Sequence, residues 1–187
     1  MMVGILGPSN LELLRHCTGR PVDYFIRQSD LAGQILARQG FEVVVTADKG
    51  IPLHAAYGFR SVRQEDGPKL IMLSPRKQNE WNNPGAKKYE RPADVVVPTT
   101  DWPETNRQQV RVPQILLVLG LSPGVGLELA NANYDLRLAV RDTQLQRIIV
   151  VLDFLEGGKF PKYLSWEFGG KKPGMIIEIG TVAVFRK

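Results

Sequence analysis

Apolar residues in this chain fall into short unbroken runs that alternate with segments of helical spacing. Val3 to Leu6 is the first run, a strand ending in the turn-forming cluster Gly7, Pro8, Ser9 and Asn10. Between Asp23 and Gln39 the apolar positions Phe25, Ile26, Leu31, Ile35 and Leu36 follow a helical period, and Gly40 is placed to close that helix. Phe41 to Thr46 is β-branched and unbroken, a second strand that leads through Ala47, Asp48, Lys49 and Gly50 to a helix with Pro52 in its first turn. Leu70 to Leu73 gives a third strand. Ala93 to Val97 gives a fourth, followed by Asp101 and a short helix around Glu104 to Val110. Ile115 to Leu119 is the fifth. It ends on Gly120 and runs into Ser122, Pro123, Gly124, Val125 and Gly126, a turn that suits entry into a helix.

Strands separated by short helices imply right-handed crossovers and a mostly parallel sheet, hence an α/β, Rossmann-like three-layer sandwich. Ligands of such sheets bind at the carboxyl ends of the strands. The loops at Gly7, Asp48, Asp101 and Gly120 all fall on that edge. Residues 74–92 read as a long polar loop, either a solvated excursion or a flap over a ligand. Beyond Gly126 the pattern is more ambiguous. Leu127 to Asn131 extends a helix, and Asp135 to Val140 alternates as a strand would. Asp142 is placed to cap a helix carrying Leu145, Ile148, Ile149, Leu152 and Leu155 up to Gly157, although RIIVVLDFL also suits a buried strand; the cap, the spacing and the terminal glycines favour the helix. Met175 to Phe185 reads as a strand interrupted at Gly180, at a sheet edge or in a hairpin.

A length of 187 residues with 43% hydrophobic content suits one domain, 1–187, with a sizeable core. No apolar run approaches the roughly 20 residues of a membrane span, and the N-terminal MMVGILG is too short for a secretory core, so a cytoplasmic protein is expected. One cysteine, Cys17, and two distant histidines, His16 and His54, supply no soft metal-ligand set. The net charge of +5 and pI near 9.4 favour a small anionic ligand such as a nucleotide. Because the basic residues are scattered, nucleic acid is disfavoured.

Candidate chemistry collects at the predicted edge. The glycines Gly7, Gly50, Gly120, Gly124 and Gly126 let backbone approach a ligand closely. A helix starting near Ser122 would turn its free amides, including that of Val125, toward an anion. Ser9 and Asn10 suit hydrogen bonds to a phosphate or base, or a helix cap. Asp48 and Lys49 suit a ribose hydroxyl and a phosphate, or a plain charged turn. Trp81 and Trp102 suit stacking on a base, or packing under their loops. Asp101 and Glu104 are carboxylates that either reach a substrate or face solvent. His54 fits a partly buried histidine, and Cys17 an incidental thiol.

The order of a first strand ending in GPSN, a helix ending in ARQG, the strand EVVVT and the late SPGVG turn resembles the Rossmann-like family known as lysine decarboxylase-like. That family includes the LOG cytokinin-activating phosphoribohydrolases and the molybdenum cofactor carrier proteins. The resemblance covers about residues 3 to 130, with a weaker echo in LEGGKF. It implies a nucleotide-type pocket and, by analogy of fold, a homodimer or higher homo-oligomer. Similar proteins carry PGGxGTxxE, in which glycines hold a phosphate and the glutamate serves sugar–base cleavage. Here Ser122 to Leu127 occupy the first six positions, two glycines match, and Ala130 stands where the glutamate would. Glu128 lies two residues earlier, roughly 200° away around a helix. Arg107 aligns with the family's upstream arginine, while Gln108 replaces its lysine.

Cleavage of an N-glycosidic bond passes through a cationic transition state that needs a positioned carboxylate. A retained glycine turn with a lost glutamate therefore favours a non-catalytic sensor or carrier of a bound nucleotide or phosphate. The alternative is a nucleotide phosphoribohydrolase in which Asp101, Glu104 or Glu128 replaces the missing group. A weaker alternative is a structural homo-oligomer with a vestigial pocket.

Overall fold

The computed structural model describes residues 1–77, 80–81, 86–138, 143–169 and 174–186. In β1 (Met2–Leu6), Val3 and Ile5 face one layer of helices and Leu6 the other, because successive residues of a strand point to opposite sides. The same alternation divides Leu117 from Leu116 and Val118 in β6 (Ile115–Val118). It also divides Val151 from Ile148 and Val150 in β7 (Arg147–Val151). With β2 (Glu42–Thr46), β3 (Leu70–Lys77), β5 (Val95–Thr99) and β8 (Ile176–Ile179), these strands form a parallel sheet ordered β5-β3-β2-β1-β6-β7-β8. The two-residue β4 (Glu80–Trp81) pairs antiparallel with β3. Both faces are covered by helices, which makes the fold a three-layer, Rossmann-like α/β sandwich.

One face is covered by α1 (Leu11–Thr18), α2 (Val22–Arg38) and α3 (Ile51–Val62), whose Leu14, Phe25, Ile35 and Phe59 join Val3, Ile5 and Val43 in the first cluster. Two glycines let α2 and α3 cross closely. A Cβ on Gly33 would stand 1.9 Å from the Ala55 carbonyl oxygen, and one on Gly58 2.0 Å from that of Asp30. The opposite face carries α5 (Trp102–Arg111), α6 (Pro123–Arg137) and α7 (Lys162–Gly169), which contribute Val110, Val125, Leu129 and Phe168 to the second cluster. A four-residue helix, α4 (Ala86–Tyr89), follows β4. Strand order runs outward from β1 through β2 and β3 on one side and through β6 and β7 on the other. The switch point therefore lies between the carboxyl ends of β1 and β6.

Three sequence expectations are corrected. The helix expected from Asp142 to Gly157 is β7 followed by two short 3₁₀ turns, Leu152–Phe154 and Glu156–Gly158; Asp142 itself lies outside the described residues. β7 is sandwiched between β6 and β8 with helices on both sides, so it shows no polar alternation, and its unbroken apolar run mimics a helical period. The strand expected from Asp135 is instead the last turn of α6 as far as Arg137, where Asp135 turns inward to an ion pair; residues 139–140 lie outside the described residues. The 74–92 loop begins as the continuation of β3 to Lys77 and also contains β4 and α4, with residues 78–79 and 82–85 outside the described residues. The stretch from Met175 holds β8, a parallel edge strand, and then a 3₁₀ turn at Val182–Arg186.

Candidate functional site

A cleft of about 210 Å³ opens at the switch point. Gly7 and Ser9 line it from the loop after β1, Thr46, Asp48 and Pro52 from the end of β2 and the start of α3. Trp102 and Asn106 reach it from α5, and Ser122, Gly124, Val125 and Glu128 from α6. Gly7 is required where β1 leaves the sheet: a Cβ there would meet Ile51 Cγ2 at 2.4 Å and the Leu119 carbonyl oxygen at 2.9 Å. Gly120, at φ 102°, turns the chain from β6 in a left-handed conformation that other residues rarely adopt.

The first turn of α6 is capped from within. Ser122 Oγ accepts the Val125 N–H at 3.3 Å, and the Ser122 carbonyl accepts the Gly126 N–H at 2.8 Å. Pro123 has no N–H to offer. Among the described residues, Gly124 is left with the one first-turn amide that has no acceptor. A side chain on Gly124 would find nothing nearer than Ser122 Oγ at 3.8 Å, and one on Gly126 nothing within 4 Å, so neither glycine is demanded by packing.

Glu128 lies on the second turn of the same helix, 8% exposed, and among the described residues it has no hydrogen-bond partner. Burial alone pushes its carboxyl up to about 8, so it is predominantly protonated at neutral pH. Across the cleft, Asp48 Oδ1 accepts the Lys49 N–H at 2.8 Å. Burial also pushes Asp48 up, opposed by Lys49 and by the Ser9 side chain.

The other predicted site residues take up different roles. Asp101 caps α5, its Oδ1 accepting the Glu104 N–H at 2.8 Å, while Glu104 reaches back to the N–H and hydroxyl of Thr100 at 2.5 and 2.6 Å. The pattern is a relative of the capping box, with Glu104 turned back to the residue before the cap rather than to the cap itself. The Thr100 bonds hold the Glu104 carboxyl below its usual range. Neither carboxylate lines the cleft. Asn10 caps α1 by accepting the Glu12 N–H at 3.1 Å. Lys49 and Arg107 are exposed and follow the lining residues Asp48 and Asn106 in the chain. Gly50, at φ 75°, caps α3 against Pro8 and Ser9. His54, outside the cleft, is pushed down by burial and partly restored by Asp30. Cys17 lines a separate pocket with Leu14 and Phe154. Trp81 has no described side chain.

Sequence reasoning missed Thr46, Pro52 and Asn106. For Asn106 a signal existed: it lies four residues after Trp102, which puts both on one face of α5. Among the described residues there is no cluster of three metal-ligating side chains, and no helix is long and apolar enough to cross a membrane.

No family model matches the chain, and no curated protein matches it significantly. Solved structures do. The molybdenum cofactor carrier protein of Chlamydomonas reinhardtii superposes with a TM-score of 0.65 at 15% identity, over 97% of this chain and 90% of that one. The two chains share a fold. The molybdenum cofactor binding protein of Rippkaea orientalis gives 0.62 at 14% identity, over 97% and 90% of the two chains. DNA processing protein A of Helicobacter pylori, described for its single-stranded DNA binding mode, gives 0.59 at 18% identity, over 99% and 78%. The family resemblance read from the GPSN and SPGVG turns thus agrees with the carrier proteins in fold, and at these identities the likeness is one of fold.

Proposed function

We propose that this chain is a non-catalytic carrier or sensor that holds a small nucleotide-type or phosphorylated ligand in the switch-point cleft. The observation that carries this reading is the disposition of the three candidate carboxyls. Asp101 caps α5, Glu104 is bonded to Thr100, and Glu128 is buried, which favours its protonated form. None of them places an ionised carboxylate where a cationic transition state would need it. The cleft nonetheless keeps hydroxyls, an amide, an aromatic ring and a free backbone N–H, which are ligand-holding groups. Lys49 and Arg107, each next in the chain to a lining residue, are the cations available to a ligand phosphate. The carrier names of proteins with this fold support the same role.

A second reading rests on Glu128 and Asp48 lining one cleft. A protonated acid at the leaving base and a carboxylate at the sugar are the parts of a glycosidic hydrolase. Under this reading the chain is a phosphoribohydrolase.

Gly124→Leu tests the location of the site, because packing leaves room for the side chain and it would crowd the cleft. The expected result is native stability with loss of AMP binding; AMP binding undiminished in this variant would move the site elsewhere. A homodimer belongs to the same proposal, supported by the exposed Leu127, Tyr134 and Leu138 along α6 and by Tyr163 and Trp166 on α7. Sedimentation of wild type against Tyr134→Glu checks it: wild type should sediment as a dimer and the variant as a monomer.

A further inference from the structure

The groups inside the cleft do not match a phosphate. Asp48 and Glu128 line it, and among the described residues no lysine, arginine or histidine does. An anion placed there would meet two carboxyls beside the hydroxyls of Ser9, Thr46 and Ser122 and one free amide at α6, with no cation among the described lining residues to balance its charge. Glu128 is the unusual group: a carboxyl more than nine-tenths buried, lining the cleft and without a hydrogen-bond partner among the described residues. Its oxygens open into the cleft rather than the core, so a ligand that fills the cleft and displaces the water there must supply their hydrogen-bond partners. Trp102 supplies an aromatic ring to the same space, and Asn106 an amide that both donates and accepts.

We propose that Glu128 reads the edge of a neutral, planar nitrogen heterocycle on which a hydrogen-bond acceptor and a donor lie side by side, with Trp102 against the ring. A carboxylic acid offers one O–H donor and one carbonyl acceptor in a plane. That pair matches an amino-azine edge, such as those of adenine and cytosine: the acid O–H donates to the ring nitrogen, and the acid carbonyl accepts from the exocyclic amine. An ionised carboxylate has two acceptors and meets the ring nitrogen with repulsion. Recognition therefore requires the proton, which burial of Glu128 retains. Of the charged groups on the packed elements, Asp48 faces the cleft, Arg107 is exposed on α5, and Arg111 is paired with Asp135 farther along α6. Burial is the one cause of the Glu128 shift. This inference rests on the ligand-holding reading and specifies its ligand: the heterocycle lies inside, and any phosphate lies at the rim near Lys49 and Arg107.

The test is calorimetric titration of the full chain with adenosine, cytidine, AMP and ribose 5-phosphate from about pH 7 to about pH 9, a range in which adenine and cytosine do not titrate. For wild type, at least one base-bearing compound should bind more tightly than ribose 5-phosphate. Its affinity should fall about tenfold over that range as Glu128 loses its proton. Glu128→Gln, whose amide also pairs a donor with an acceptor, should bind with an affinity that no longer changes with pH. Glu128→Leu should bind about tenfold more weakly or worse. Urea unfolding of each variant separates lost binding from lost folding. The inference is overturned if no base-bearing compound outbinds ribose 5-phosphate, if wild-type affinity is flat or rises with pH, or if folded Glu128→Gln binds no better than Glu128→Leu. Binding of ribose 5-phosphate alone would sink the heterocycle and leave the carrier reading standing, whereas binding of nothing would remove both.

Discussion

Arg111 and Asp135 form a two-pronged ion pair that fastens α5 to α6, with Nε 2.5 Å from Oδ2 and the second guanidinium nitrogen 2.8 Å from Oδ1. These helices carry Trp102 and Asn106 on one side of the cleft and Ser122, Gly124 and Glu128 on the other. The Asp135 side chain is 5% exposed, so removing Arg111 leaves its carboxylate in a poorly hydrated place. Arg111→Ala should destabilise the protein by about 3 kcal/mol, Asp135→Ala by less, and the double variant by less than their sum. Chemical denaturation of the four proteins measures this coupling.

Gly33→Ala should be among the most damaging small substitutions, because its Cβ would meet the backbone carbonyl of Ala55 rather than a side chain that can move. A loss of about 3 kcal/mol is expected, and Gly58→Ala should behave alike against Asp30. Gly126→Ala points into open space within α6 and should gain about 0.5–1 kcal/mol. Urea midpoints of the three variants would show whether the sign differs between sites as the packing requires.

Asp101→Ala should cost about 1 kcal/mol through loss of the α5 cap and leave ligand affinity unchanged. A thermal melt and a binding isotherm on the same sample separate the two effects. A large loss of affinity at native stability would return Asp101 to the site.

Glu128 makes stability depend on pH in a defined direction. Its proton is held to about pH 8 in the folded chain, against 4.5 for the same group in water. Between these values the folded state keeps a proton that the unfolded chain has released. This contribution to stability is full below about 4.5, falls about tenfold in folding constant per pH unit as pH rises, and is lost by about 8. Glu128→Gln should remove that slope and be the more stable protein at pH 8. Denaturation midpoints of both proteins across this range give the comparison.

Much of this architecture is written locally. Val3 to Leu6, the α2 period closed by Gly40, EVVVT and Ile115 to Leu119 each carry a pattern of strand or helix, and their order suffices to place the loops on one edge. The sequence does not separate β7 from a helix, because a strand buried on both faces and a buried helix share the same apolar run. α1 and α7 are short, and apart from the Asn10 cap of α1 their apolar positions do not stand out without the sheet beside them. In the site, Gly7, Ser9, Asp48, Ser122, Gly124, Val125 and Glu128 were named from the sequence and come together in the cleft. Thr46, Pro52 and Asn106 were not, since their place depends on how β2, α3 and α5 converge. The sequence also offers no sign that Asp101 takes the Glu104 amide while Glu104 turns back to Thr100, or that Glu128 is buried without a partner among the described residues.

The central claim is that the cleft binds without cleaving. Purified protein should be titrated calorimetrically with AMP, ATP and a small panel of phosphorylated sugars, and the same tubes assayed for free base and ribose phosphate. Saturable binding of a base-bearing ligand with no base released over many hours is expected. Release of free base at a rate abolished by Glu128→Gln would contradict it and establish the hydrolase.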